Sequence, residues 1–288
     1  MNNFDDLLTN APAEGQRQLS KEDWVAKKQA ERDAVFGLSD DAALAVAEDG
    51  GSFQQFLDVQ ATFGRYSAVN ALLIYAQQEL LPGKTATRIG DFDHWKGQGC
   101  NVKPGQKSIS ILEPHEYIKD DGTPGNGYNV KKVFEISQVD TRKHKAKPSP
   151  SYSERQILAA LVKSAPVAIV GVENLPDNVG AQRHDNRIEV KKGMGFEDTF
   201  RSLALEVCAV EAESQFSAYS AAYILCQKNG VDVRGFNFSD APTMFEDMDA
   251  QRIKGELAGI RDCADDISGR MARNLGALEK ASRNQEAR

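Results

Sequence analysis

The sequence is poor in metal ligands. Its 288 residues contain 4 histidines (His94, His115, His144, His184), and no two of them stand four apart on a helical frame. That excludes the His-Glu-x-x-His arrangement, in which two imidazoles one turn apart hold zinc and the intervening Glu acts as base. The 4 cysteines (Cys100, Cys208, Cys226, Cys263) are far apart and form no Cys-x-x-Cys pair. A zinc ribbon and a disulfide framework are therefore both excluded. Two of the cysteines lie in apolar helical patterns, where reduced buried thiols are expected. No apolar run reaches the roughly 18 residues of a membrane span. Phosphate loop, dinucleotide fingerprint and nucleophile elbow are missing too, because Gly122–Gly127 lacks the lysine and the following helix that cradle a phosphate. The first residues, MNNFDDLLTNAPAEG, are acidic and have no signal-peptide pattern. The expectation is a cytoplasmic protein without a membrane contact.

What is present is a soluble composition with a net charge of −7. The charge is unevenly placed. Residues 82–147 hold 12 lysines and arginines against 8 acids, about +4, inside an acidic chain. A basic segment of this kind suits a local nucleic-acid groove without making the whole protein basic.

The N-terminal third reads as helices. After a polar stretch over 1–20, Ser20 to Asp23 has capping-box form and opens a charged helix to about Val35. Ser39 is placed to cap a second helix to Glu48, which Gly50-Gly51 stops, and Ser52 a third to about Arg65. A fourth covers Ser67 to Leu80 and ends at Pro82-Gly83. Beyond it, Ile89–Gly97 reads as a short helix packing Phe92 and Trp95. Lys107–Leu112 and Tyr128–Val139 alternate as two strands of a hairpin, with a turn over 120–127. Thr141–Ser153, basic and holding two prolines, reads as a linker. After it come a helix over 154–164, strands at Val167–Val172 and Arg187–Lys191, a helical stretch over 199–223 unbroken or broken once, and a final long helix or pair of helices over 247–279.

Lys and Arg beside rings on a β-surface suit single-stranded nucleic acid, since cations follow phosphates and rings stack on splayed bases. The candidates are Arg65, Tyr66, Arg88, Trp95, Lys96, Lys103, Lys107, Lys131 and Lys132. Trp95 and Tyr66 equally suit core anchors, and hairpin lysines equally suit a solvated face. Glu206, Glu211 and Glu213 are candidates for paired-carboxylate chemistry, against the plainer reading of solvated glutamates.

Several motifs carry a resemblance to a family. Tyr66-Ser-Ala-Val-Asn70-Ala-Leu-Leu73 follows a Y-x-x-x-N-x-L-L helix, and Trp95 follows it. Gly99-Cys-Asn-Val-Lys103-Pro-Gly-Gln-Lys107 follows a G-x-x-V-K/R-x-G-x-K/R turn. A strand at Ile109–Glu113 and its partner at Val133-Phe134 complete the set. Together they resemble the ArdC-type antirestriction proteins of plasmids and conjugative elements, in which a single-stranded-DNA-binding domain precedes a zincin-like metallopeptidase domain. The segment from Leu203 to Tyr223 and the helix that continues it are similar to that family's L-x-H-E-x-x-H helix and its glutamate-bearing successor. The departure is chemical. Leu205 and Ala209 stand where the two zinc histidines belong, and Ser217 or Tyr219 near the third ligand. Only the general-base position, Glu206, is retained.

The expected architecture is α+β: N-terminal helices with a small antiparallel sheet, then a mostly helical zincin-like domain with a short sheet. The expected divisions are a helical extension at 1–49, a DNA-binding domain at 50–140, the linker at 141–153 and a degenerate peptidase domain at 154–288. The resemblance implies single-stranded DNA as partner, held by Tyr66, Asn70, Trp95, Lys103 and Lys107; the basic pattern adds Arg65, Arg88 and Lys96, and the departure adds the expectation of no metal, no cofactor and no hydrolysis. Asn70 also suits an internal brace. A host protein gripped by the peptidase-like cleft, and an active hydrolase built from His184, Glu206 and Glu213, are the open rivals. The oligomeric state is left open.

Overall fold

In the computed structural model, residues 20–119, 121–142, 150–176 and 178–286 are described, with side chains as far as 277. The expected polar segment over 1–19 and most of the basic linker, 143–149, lie outside the described residues.

The first helix, α1 (Lys21–Glu48), opens on Ser20, whose hydroxyl accepts from the Asp23 N–H at 3.0 Å. It is one helix where two were expected. Ser39 does not cap a new one. Its buried hydroxyl donates 2.7 Å back to the Phe36 carbonyl, an intrahelical bond that leaves the helix running. The cap of α2 (Gly50–Thr62) is likewise Asp49 and not Ser52: its carboxylate accepts from the Ser52 N–H at 2.7 Å. Gly50 is required there, because a Cβ would collide with the Phe238 carbonyl. Ser67 caps α3 (Ala68–Ala76), accepting from the Asn70 N–H.

Next come β1 (Ile89–Gly90), the short α4 (Phe92–Gly97), β2 (Asn101–Val102), β3 (Ile109–Ile118), β4 (Pro124–Glu135) and β5 (Val139–Asp140). Strands β3 and β4 pair antiparallel over ten residues, from Ile109 opposite Val133 to Ile118 opposite Pro124. Strand β1 adds to the far side of β4, giving the order β1-β4-β3, and β2 pairs separately with β5. The hairpin therefore runs farther than the sequence alternation indicates, and its outer part, from Glu113 to Tyr128, stands largely in solvent.

The remainder consists of α5 (Glu154–Ser164), β6 (Ala168–Val172), β7 (Ala181–Arg183), β8 (Arg187–Lys191), α6 (Phe196–Glu211), α7 (Gln215–Lys228), α8 (Ala241–Met244) and α9 (Ala250–Glu286). In the second sheet β8 lies between parallel β6 and antiparallel β7. The stretch over 199–223 is two helices. Residues 212–214 break it, and Ser214 caps α7 by accepting from the Ser217 N–H at 3.0 Å.

The mixed α+β class agrees with expectation. A single large apolar cluster joins the N-terminal helices to the later ones. Phe53 of α2 packs on Phe216, Phe238 and Phe245 with ring centroids 5.2 to 5.5 Å apart. Fully buried, the Phe53 ring contributes about 2 kcal/mol of hydrophobic stabilisation. The seam is also polar: the Tyr223 hydroxyl donates 2.6 Å to Asp58 of α2. Two smaller clusters seat the hairpin. Val35, Leu73 and Leu112 pack it on α1 and α3, and Trp95, Cys100 and Val139 pack α4 beneath it. No helix among the described residues is long and apolar enough to cross a membrane.

Candidate nucleic-acid interface

Helix α3 is fastened to β3 through side chains that imitate a strand. The Asn70 amide donates 2.8 Å to the Leu112 carbonyl, and its oxygen accepts from the Leu112 N–H at 2.8 Å. Two turns on, Gln77 makes the same pair of bonds with Ser110, both at 2.9 Å. Strand β3 is the edge of its sheet, so these two buried amides satisfy polar backbone that would otherwise be open.

This fastening leaves a groove of about 510 Å³ between the α3 N-terminus and the hairpin. Arg65, Tyr66 and Asn70 line one side, and Ile111, Glu113, Tyr128 and Lys131 the other. Tyr66 is half-buried, edge-on to Phe63 at 5.9 Å, and burial raises its hydroxyl pKa. Lys131 spans the groove wall between Glu113 at 2.6 Å and Asp91 at 2.9 Å. The Glu113 hydrogen bond, followed by that to Asp91, raises the lysine's pKa, so its charge is fixed but cancelled. Lys132 is similarly tied to Glu31 at 2.9 Å. Arg65 differs. It is exposed, and no carboxylate pairs with it among the described residues. A second hollow of about 730 Å³ lies on the other side of Arg65 and Tyr66 and reaches Arg88 and Lys228.

The remaining predicted residues are placed differently. Trp95 is fully buried, with its indole N–H donating 3.0 Å to the Phe134 carbonyl. The Arg88 guanidinium lies over its ring at 5.3 Å and donates 2.7 Å to Gln98. Trp95 thus has no open face on which a base could stack; it anchors the core, and that expectation of a stacking ring is corrected. Asn70 spends its amide on Leu112, as a brace does. Lys96 and Lys107 are exposed on other surfaces, and Lys103 donates 2.7 Å to the Ser137 carbonyl. These three lysines line neither hollow beside Arg65. Of the 12 basic residues counted over 82–147, Lys143, Lys145 and Lys147 lie outside the described residues. Phe92, expected to pack beside Trp95, is instead exposed, since only Trp95 of the short α4 faces the core. Tyr117 and Tyr128, which were not among the candidates, are exposed rings on the outer hairpin. The strand pairing alone brings them together.

On α6, Leu205 and Ala209 pack against the large apolar cluster. Glu206 is half-buried. Burial raises its pKa, opposed by the charge and main-chain N–H of Arg183. Arg183 of β7 places its Nε 3.9 Å from the Glu206 carboxylate and donates through Nη1 to the Ala209 carbonyl. The Ser217 hydroxyl is paired with that of Ser214, and the Tyr219 hydroxyl accepts from the Asn237 N–H at 2.9 Å. His184 faces Glu189 at 3.2 Å and not Glu206, while Glu213 is exposed. The residues present do not fit a zinc ion: one carboxylate faces a guanidinium, and two ligand positions carry no donor atom. Among the described residues no three His, Cys, Asp or Glu side chains converge on a metal-sized site.

Residues 46–160, which contain the groove, the fastening amides and the whole hairpin, match the family model described as the N-terminal domain of anti-restriction factor ArdC. Over these residues the chain is similar to that family's N-terminal domain. The match begins inside α1 and ends inside α5. Two solved structures of the antirestriction ArdC protein from the R388 plasmid resemble the chain. The metal-free structure is 15% identical, covers 72% of this chain and 86% of its own, and has a TM-score of 0.48. The Mn(II)-bound structure is 13% identical, with 73% and 85% coverage and the same TM-score. No curated protein matches the sequence.

Proposed function

We propose that the protein binds single-stranded DNA along the groove beside Arg65 and Tyr66, in an antirestriction role like that named for the R388 protein. One observation carries the reading. Within the ArdC-type domain an exposed arginine without a carboxylate partner among the described residues stands beside a half-buried tyrosine at the mouth of a 510 Å³ groove. Such a pair offers a phosphate a cation and a base a ring face. Arg88 extends the positive edge through the neighbouring hollow, and Lys96, Lys103 and Lys107 supply outlying charge for a longer strand. Work is divided near residues 141–153: the earlier part holds DNA, and the later part keeps a zincin-like helix frame without metal or hydrolysis. The setting is the cytoplasm of a cell receiving a mobile element, where coating incoming single strands would shield them from nucleases.

Fluorescence anisotropy with labelled oligothymidine at low ionic strength tests this. The reading expects saturable binding to the single strand, weaker binding to a duplex of equal length, and steep weakening with salt. No saturable binding to the single strand would overturn it.

A further inference from the structure

The outer hairpin carries rings laid flat over glycines. In the β3/β4 register Tyr117 stands opposite Gly125 and His115 opposite Gly127. A Cβ added to Gly125 would come within 2.7 Å of the Tyr117 Cζ, and one on Gly127 within 2.8 Å of the His115 Cε1. The rings therefore lie on the partner strand's backbone, which only glycine permits. Gly within a strand weakens it, and marks places where something approaches the backbone closely. The two rings sit 5.9 Å apart at 37°, and Tyr117 keeps 46% of its surface exposed. Across a shallow hollow of about 510 Å³ stands Tyr128, edge-on to Phe36 at 5.8 Å and itself 45% exposed. The same hollow holds Arg32. Its guanidinium donates 3.3 Å to the Tyr128 carbonyl and also to Gln29, both neutral acceptors, and no carboxylate pairs with it among the described residues. Tyr128 is the one residue that lines both this hollow and the Arg65 groove, so the two adjoin there.

We infer that this arm is a second binding segment for the same single strand: Tyr117, His115 and Tyr128 receive bases, and Arg32 a phosphate, as the strand leaves the Arg65 groove. The inference rests on the DNA-binding reading. It commits to single-stranded DNA because the surface pairs ring faces with an uncancelled cation, which a polyanion carrying splayed aromatic bases complements. Flat rings over glycine also present the broad face that stacking needs, where upright rings would present edges.

The test uses the full chain and a fluorescein-labelled oligothymidine of roughly 20 nucleotides, longer than one binding fold covers. Replacing Tyr117 and Tyr128 together by Ala should weaken binding about tenfold or more, with the salt slope unchanged. Arg32→Ala should lower that slope by about one ion. Gly125→Ala with Gly127→Ala, which keeps every ring but lifts two of them, should also weaken binding. Wild-type affinity in all of these variants, with wild-type protein binding normally, overturns the arm and leaves the Arg65 groove standing. No binding by wild-type protein overturns both. Photo-crosslinking of unmutated protein to a bromodeoxyuridine oligonucleotide is independent of variant folding. Label in the peptide over 113–128 supports the arm, and label confined elsewhere overturns it.

Discussion

Asn70 of α3 takes both backbone hydrogen bonds of Leu112, giving and receiving at 2.8 Å, and so stands in for a missing strand. In the Y-x-x-x-N-x-L-L pattern this asparagine follows Tyr66 by one turn, yet its amide is already spent. Asn70→Ala strands a buried N–H and a buried carbonyl, each costing about 1–3 kcal/mol. Denaturant unfolding should show a loss of roughly 2–4 kcal/mol. Unchanged stability with abolished DNA binding would show instead that Asn70 contacts the strand directly.

Trp95 makes a parallel case. Trp95→Ala should cost about 3–5 kcal/mol, the range for removing a large buried ring. The folded fraction should bind DNA as wild type does. Near-ultraviolet dichroism to measure folding and anisotropy to measure binding separate the two effects. A stable variant with weakened binding would contradict the buried placement.

Metal content follows from Arg183. The guanidinium beside Glu206 occupies the carboxylate that a cation would need, and Leu205 and Ala209 contribute no donor. Elemental analysis of protein purified without chelator should find well below one zinc per chain. About one zinc per chain would contradict this account of the site.

Acid should destabilise the fold through Glu135. Burial pushes this carboxyl upward, but hydrogen bonds from Ser137 and Thr87 more than offset it, and its pKa lies below the ordinary value of 4.5. Glu31 and Asp91 are also depressed, through Lys132 and the His94 N–H respectively. A lowered folded-state pKa contributes stability that is complete above the unfolded value and is lost as pH falls through the folded one. The urea midpoint should therefore hold steady down to about pH 5 and drop below about pH 4.5. In Glu135→Gln the drop should be shallower; an identical profile would remove Glu135 from the account.

The α3 helix and the inner hairpin were legible because capping and alternation are local signals. The helix expected from Ser67 starts there, with Ser67 as its cap, though it ends at Ala76 and not Leu80, and Ile109 meets Val133 as expected of the two strands. The outer hairpin was not legible. Beyond Leu112 the sequence Glu-Pro-His-Glu-Tyr has no apolar alternation, and its strand conformation comes from pairing with residues 124–129. That pairing is what assembles His115, Tyr117 and Tyr128. Strand β7 escaped for a similar reason: three residues long and largely exposed, it is defined by β8. Ser39 misled because a serine in mid-helix can bond backward as readily as it can cap. The charge count misled in another way. A net count does not say which charges meet: Asp91 and Glu113 hold Lys131, and Glu31, from outside the counted segment, holds Lys132. On α6, Leu205 and Ala209 beside Glu206 were visible in sequence, but the arginine facing Glu206 arrives from a strand more than 20 residues earlier.

The most direct test of the central claim is a salt titration of oligothymidine binding by wild-type protein and by Arg65→Ala, followed by anisotropy. If Arg65 is the uncancelled cation of the groove, the variant should bind more weakly at every salt concentration, with a log–log slope shallower by about one ion. Superimposable titrations for the two proteins would contradict it.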